Sequence, residues 1–321
     1  MALVSVIVPV YNAEQFIADT IENLISQTLS DIEIILVDDG STDRSGEICS
    51  QYAEKYGNIT LLRRKNGGVS SARNAGLAAA TGKYIGFCDA DDVPDNDLYE
   101  FLYKMIKENN SDIAIIDTYI LTDDKSKVFS SDNSTVFLNS RKDIIREFLD
   151  GRFGEAIYTN LYSAEICKDV KFEEGRKINE DKKYFFDCLM KSNSVYYKSI
   201  GKYGYYRHMG SSSLSEFSDK FFDYLYFMKK ISGEVRSTYP ELEEYVLKNE
   251  LTTYLTLLTL ICTLNARKKY KSQFNETASA ARSFSFSFCR KHLAKKTFMK
   301  WVCLKLGSSL FSTAVKLFAR L

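Results

Sequence analysis

Tyr84-Ile85-Gly86-Phe87-Cys88-Asp89-Ala90-Asp91-Asp92 decides how the rest of this chain is read. A short apolar strand runs straight into three carboxylates, Asp89, Asp91 and Asp92. Like charges this close repel, and a strand end inside a fold is partly desolvated, so something positive should offset them. A hard divalent cation held through oxygen, Mn²⁺ or Mg²⁺, meets that need and usually brings a phosphate with it. The alternative is a turn and helix cap before a helix opening at Pro94 and Asp95.

Upstream, strand and helix patterns alternate. Val4 to Val10 is a continuous apolar run, as in a strand covered on both faces. Glu14 to Thr28 places Phe16, Ile17, Ile21, Leu24 and Ile25 on one helical face. Ile32 to Val37 predicts a second strand, followed by a helix capped by Thr42 or Asp43 and running to about Tyr56. Ile59 to Arg63, Val69 to Ala80, Tyr84 to Cys88, Pro94 to Asn109 and Ile113 to Leu121 continue the alternation. The fold class is α/β, a mainly parallel sheet flanked by helices. Ligands in such sheets bind beyond the carboxyl ends of strands. PVYN, DDGS, NGG and DADD follow strands one to four, so four polar clusters lie where that rule puts them.

From Lys127 to Arg207 the pattern turns mixed, with short strands and a helix near Asp181 to Met190. A Gly/Ser stretch, Gly210 to Ser213, separates this from a helical remainder, giving expected domains of 1–212 and 213–321. The net charge of +1 over 321 residues hides an asymmetry. Residues 266–321 hold thirteen Lys/Arg against one acid, Glu276, a net +12, and the rest carries −11. A basic amphipathic tail of this kind, with Phe, Leu and Trp301, suits an anionic membrane surface or a helix packed with a solvated basic face. A homo-oligomer contact or a partner enzyme is open for the same segment. Nucleic acid is disfavoured, because the basic charge tracks an apolar stripe and no reader motif is present. Seven cysteines, an odd count without CxxC spacing, and a first segment without a basic leader predict a cytoplasmic protein, peripheral at the inner face of the membrane.

VSVIVPVYNAEQFI, VDDGSTDRSGEI, GGVSSARNAGLAAATGKYIGFCDADD and NEDKKYFF together resemble the family 2 glycosyltransferases of the GT-A fold, over roughly residues 1 to 210. The resemblance implies an inverting enzyme that moves a sugar from a UDP-sugar to a glycan or undecaprenyl-lipid-linked acceptor in bacterial surface polysaccharide synthesis. It implies that Pro9 and Tyr11 pack around the base and that Asp39, beside Asp38, accepts the uracil N–H. Gly67 would allow close approach of the nucleotide and Arg73 would contact its diphosphate. In Asp89-Ala90-Asp91, Asp91 would ligate the metal, with Asp89 reaching the ribose or the metal through water and Asp92 a supporting neighbour or cap. Asp181 would be the general base, with Glu180 orienting it or binding acceptor. Arg207 or His208 would close over the diphosphate or metal.

Rival readings differ in stated features. A sugar nucleotidyltransferase would carry a Gly-rich loop with Arg and Lys after strand one, and PVYNAEQF has neither. A dinucleotide oxidoreductase would carry GxGxxG there. A non-catalytic scaffold of the same fold would have no use for both Asp91 and Asp181.

Overall fold

The computed structural model describes residues 2–122, 126–129, 131–206 and 216–318. The chain divides into two compact units, 1–211 and 212–321. The first runs β1 (Val4–Val10), α1 (Ile17–Ile25), β2 (Ile32–Asp38), α2 (Ser45–Lys55), β3 (Ile59–Arg63), α3 (Val69–Ala79), β4 (Tyr84–Phe87), β5 (Val93–Pro94), α4 (Leu98–Asn109) and β6 (Ile113–Leu121). It continues with β7 (Lys127–Val128), β8 (Thr135–Leu138), α5 (Arg141–Asp150), β9 (Asn160–Ser163), α6 (Ala164–Cys167), α7 (Glu180–Lys191) and β10 (Val195–Tyr206).

The sheet order is β3-β2-β1-β4-β9-β6-β10-β5, with β7 on β6 and β8 on β10. β1, β2, β3 and β4 are parallel neighbours. β9 pairs antiparallel with both β4 and β6, and β10 is parallel to β6. The six longer-range carriers of the fold, β1 to β4, β6 and β10, therefore share one direction, and their carboxyl ends line one edge. The apolar run of β1 is explained by its two faces. Val4, Val6, Val8 and Val10 pack with Ile17, Ile21 and Leu24 of α1. Ile7 points the other way, where a Cβ on Gly76 of α3 would collide with its Cγ2. Fully burying each such Val or Ile contributes about 1.5–3 kcal/mol.

Several local expectations shift. The helix expected from Pro94–Asp95 starts at Leu98, because Pro94 is taken into β5 and pairs with Tyr203 of β10. Neither Thr42 nor Asp43 is the N-cap of α2; Arg44 holds that position, and Asp43 instead accepts from Ser45 N and Glu14 N. Helix α5 was not expected, although Ser140 caps it by accepting from Asp143 N and Gly151 ends it at φ 83°. The stretch 210–213 lies outside the described residues.

The second unit is helical: α8 (Asp223–Thr238), α9 (Glu243–Thr263), α10 (Lys271–Arg282), α11 (Phe286–His292), α12 (Lys295–Leu306) and α13 (Ser308–Phe318). Arg236 of α8 reaches both Glu243 and Glu250 of α9. Trp301, read from sequence as part of an apolar stripe for a membrane, is fully buried and donates Nε1–H to Ala281 O at 2.9 Å. Phe274 and Phe311 are buried too. Among the described residues of this unit, the exposed large apolar side chains are Phe286, Met299, Leu306, Leu310 and Leu317. Among the described residues no helix is long and apolar enough to cross a membrane.

Candidate active site

The loops after β1 and β2 are stitched to each other. Asn12, at φ 49°, accepts from Thr42 N through Oδ1 at 2.8 Å and donates its own N–H to Ser41 Oγ at 3.1 Å. Asp39 N–H bonds Val10 O, and Asp38 Oδ1 accepts from Ser41 N. Pro9 is half-buried and Tyr11, 51% exposed, stands beside this seam. Asp39 then ties in the loop after β3. Its carboxylate accepts from Gly67 N at 3.1 Å and Gly68 N at 2.7 Å, and pairs with Arg64 at 3.1 Å. Gly68 sits at φ 88° as the N-cap of α3, a conformation that favours glycine. The sequence assigned Asp39 to a base N–H. In the structure it is 2% exposed and most of its roughly four acceptor sites are used by the loop. It is first of all the anchor that shapes the groove.

The second cluster centres on Arg73, in the first turns of α3. Its Nη2 donates to Asp89 at 3.0 Å, and its Nη1 donates to Glu180 at 3.1 Å. The guanidinium also lies over Phe172, 5.3 Å from the ring centroid. Arg73 is 5% exposed and its positive charge is held firmly by Asp89 and Glu180 despite burial. The family resemblance implies a diphosphate contact for Arg73; in the structure its guanidinium joins the end of β4 to the start of α7. Two buried atoms beside this bridge, Arg73 Nε and Glu180 Oε2, have no hydrogen-bond partner among the described residues. Such orphaned groups are costly unless water or ligand completes them.

Helix α7 is positioned by an aromatic stack. Tyr184 lies flat on Phe172 at 3.9 Å and edge-on to Phe87 at 5.5 Å. Asn74 clamps the backbone of Phe172 from both sides, at 2.8 and 3.0 Å. Asn179, at φ 66°, starts the helix, so Glu180 and Asp181 lie in its first turn. Burial pushes the Asp181 carboxyl up to about 7; the Glu180 charge adds to this, while Arg73 and the Lys182 N–H oppose it. A carboxylate there is protonated and deprotonated near neutral pH, as a general base requires.

The three carboxylates after β4 separate. Asp92 is fully buried, accepts from Tyr203 Oη at 2.8 Å and Tyr206 N at 3.0 Å, and is no helix cap. Burial, then the charges of Asp89 and Asp91, push its carboxyl well above the usual range. Tyr203 also receives the Asp89 N–H at 3.1 Å and stacks on Tyr158 at 4.4 Å. Ala90, between the two aspartates, is buried, and its carbonyl accepts from Thr20 of α1 at 2.9 Å. Asp89 and Asp91 keep some surface. Among the described residues no three His, Cys, Asp or Glu groups converge on one point. The donor set therefore fits a divalent cation only if phosphate oxygens complete its shell, the mode usual for Mg²⁺. Arg207 and His208 lie outside the described residues.

Asn12, Thr20, Tyr158 and Tyr203 were missed from sequence. Asn12 had a local signal, an Asn two residues past a strand end; the other three act only across the fold.

A profile of Glycosyl transferase family 2 matches residues 5–170. The chain is 36% identical over 208 residues to the uncharacterized glycosyltransferase EpsJ of Bacillus subtilis, covering 63% of this chain and 60% of that one. It is 31% identical over 224 residues to the glycosyltransferase GlyG of Streptococcus pneumoniae, covering 67% of this chain and 74% of that one. The crystal structure of S. aureus TarS 1-349 in complex with UDP-GlcNAc superposes with a TM-score of 0.72 at 20% identity, covering 99% of this chain and 92% of that one. That likeness extends the agreement in fold through the helical unit. With half the chain matched by the profile and a relative covered over most of its length, this chain belongs to glycosyl transferase family 2.

Proposed function

We propose that the protein transfers a sugar, with inversion, from a UDP-sugar to a hydroxyl of a glycan or lipid-linked acceptor in surface polysaccharide synthesis. The observation that carries this reading is the bridge Asp89–Arg73–Glu180, which brings a strand-end carboxylate cluster to a base held near neutrality. The printed complex of TarS with UDP-GlcNAc supports a uridine nucleotide as donor. The base would lie against Pro9 and Tyr11, in the groove that Asp38, Asp39 and Gly67 shape, with an edge of Asp39 meeting its imide N–H. Asp91, with Asp89, would hold Mn²⁺ or Mg²⁺, which when bound supplies positive charge to the departing diphosphate. Asp181 takes the proton of the acceptor hydroxyl as that oxygen attacks, and Glu180 orients it through the shared arginine.

Arg73 then serves two ends: it pairs with Asp89 at 3.0 Å on the donor side and opposes the rise in the Asp181 carboxyl. The basic helical unit, with Met299, Leu306, Leu310 and Leu317 exposed among lysines, would rest on an anionic membrane at the cytoplasmic face. The acceptor would then be reached at that surface, on an undecaprenyl-type lipid. A scaffold without catalysis is disfavoured by the raised Asp181 carboxyl, which costs stability that a purely structural helix start would not need to give up.

The test is UDP release from UDP-Glc, UDP-Gal, UDP-GlcNAc and UDP-GalNAc, with Mn²⁺ or with EDTA. We expect one donor to be hydrolysed well above the others and EDTA to stop it. Release that ignores EDTA sinks the metal role of Asp91, and no release from any donor sinks the choice of uridine nucleotide.

A further inference from the structure

We propose that the helical unit carries a phosphate-binding pocket of its own, built wholly from α9, α10, α13 and the turn between α9 and α10. A cavity of about 600 Å³ is lined there by Arg267, Lys268, Lys271 and Lys316, with Asn275 and Ser312. Among the described residues no carboxylate lines it. The one acid of residues 266–321, Glu276, instead accepts from Ser272 Oγ at 3.0 Å. Lys268, Lys271 and Lys316 have no carboxylate partner among the described residues. Four cations facing one cavity repel one another, and a bound dianion reverses the sign of that energy.

Two further features favour an anion in that cavity. Helix α10 is twelve residues long and starts at Lys271; its N-cap, Tyr270, gives no side-chain cap. Its first N–H groups and the positive end of its dipole are therefore available to an oxyanion. Arg267 is held in place before any ligand arrives. Its Nη1 donates to Ser308 O at 3.1 Å and Ser312 Oγ at 2.8 Å, and its plane lies 4.8 Å over Phe274. A guanidinium already ordered loses little entropy on binding. The carbonyl end of α9, which would repel an anion, is quenched: the N–H groups of Leu264, Asn265 and Ala266 bond Leu260 O, Cys262 O and Ile261 O.

The ligand class is a phosphate or diphosphate ester, borne either by a lipid headgroup or by a soluble molecule. The pocket stands apart from the membrane reading above, since it needs only the residues of this unit. The experiment is lysine acetylation of the full chain with an N-hydroxysuccinimide acetate, read by peptide mass spectrometry, with inorganic pyrophosphate as probe. Labelling of Lys268, Lys271 and Lys316 should slow by roughly tenfold at about ten times Kd, because protection scales as 1 + [L]/Kd. Lys295 and Lys296 should label as before. Equal protection of all five, or of none, overturns the pocket and leaves only diffuse charge.

The source is separated by flotation with phosphatidylcholine vesicles, with and without phosphatidic acid. With the pocket in place, loss of flotation in Lys268→Gln/Lys271→Gln but not in Lys295→Gln/Lys296→Gln assigns it to a headgroup. Equal flotation of the two variants assigns it to a soluble ester. Absence of flotation in the unaltered protein breaks the membrane reading and leaves the pyrophosphate result standing.

Discussion

The carboxylates after β4 and the pair opening α7 share Arg73, yet their members meet different surroundings. Asp89 is paired with the arginine and keeps 29% of its side chain exposed. Asp92, three residues on, is sealed under Tyr203 and Tyr206 and driven toward the neutral form. Glu180 is nearly as enclosed as Arg73, whereas Asp181 beside it is raised only to about 7. Adjacent carboxylates thus divide into an ion-pair member, a structural post and a titrating base. Environment decides this, not residue type.

The sharpest way to break the comparison is Asp181→Asn. If the base lies on α7, kcat should fall by about 10²–10⁴-fold, with UDP affinity kept in calorimetry. Lost UDP binding would move Asp181 to the donor side. Next comes Arg73→Met, which strands the buried Glu180 carboxylate and the part-buried Asp89. We expect about 3–5 kcal/mol of lost stability in urea unfolding; a loss under about 1 kcal/mol would mean the bridge behaves as a surface pair.

The pH dependence follows from one shift. Asp181 ionises near its ordinary 3.8 when unfolded and near 7 when folded. The unfolded state therefore releases its proton first, and stability falls as pH rises from about 4 to 7. Asp181→Asn should remove that loss, so its Tm advantage over the unaltered protein should grow from pH 4 to pH 8 and then level. In parallel, kcat/KM should rise through pH 7, and Arg73→Gln should push that limb upward, because the arginine lowers the Asp181 carboxyl. The smallest effect belongs to Tyr203→Phe. It removes the hydroxyl serving both Asp92 and the Asp89 N–H, at about 1–3 kcal/mol. Unchanged stability would show that Asp92 is held by Tyr206 N alone.

Much of the donor side was legible. Val4–Val10, Ile32–Val37 and Tyr84–Phe87 are apolar runs that announce buried strands, and the polar clusters directly after them mark strand ends. Helix α5 was legible too and was overlooked, since Ser140 and Gly151 bracket it. The site of β9 was not. Four residues, Asn160–Ser163, carry no period that tells where they pair, yet their insertion between β4 and β6 makes the late part of the chain a partner of the early part. Trp301 misled for a related reason: among lysines it reads as amphipathic, and only packing on Ala281 shows it as core.

Residue order along the chain was enough to mark which carboxylates end strands and which open a helix, because caps, turns and apolar runs act within a few positions. That Arg73 holds Glu180 from 107 residues away, that Asp92 is a buried post and that Asp39 anchors a loop came from the folded chain. Burial and partner identity set these roles, and both depend on which strands become neighbours.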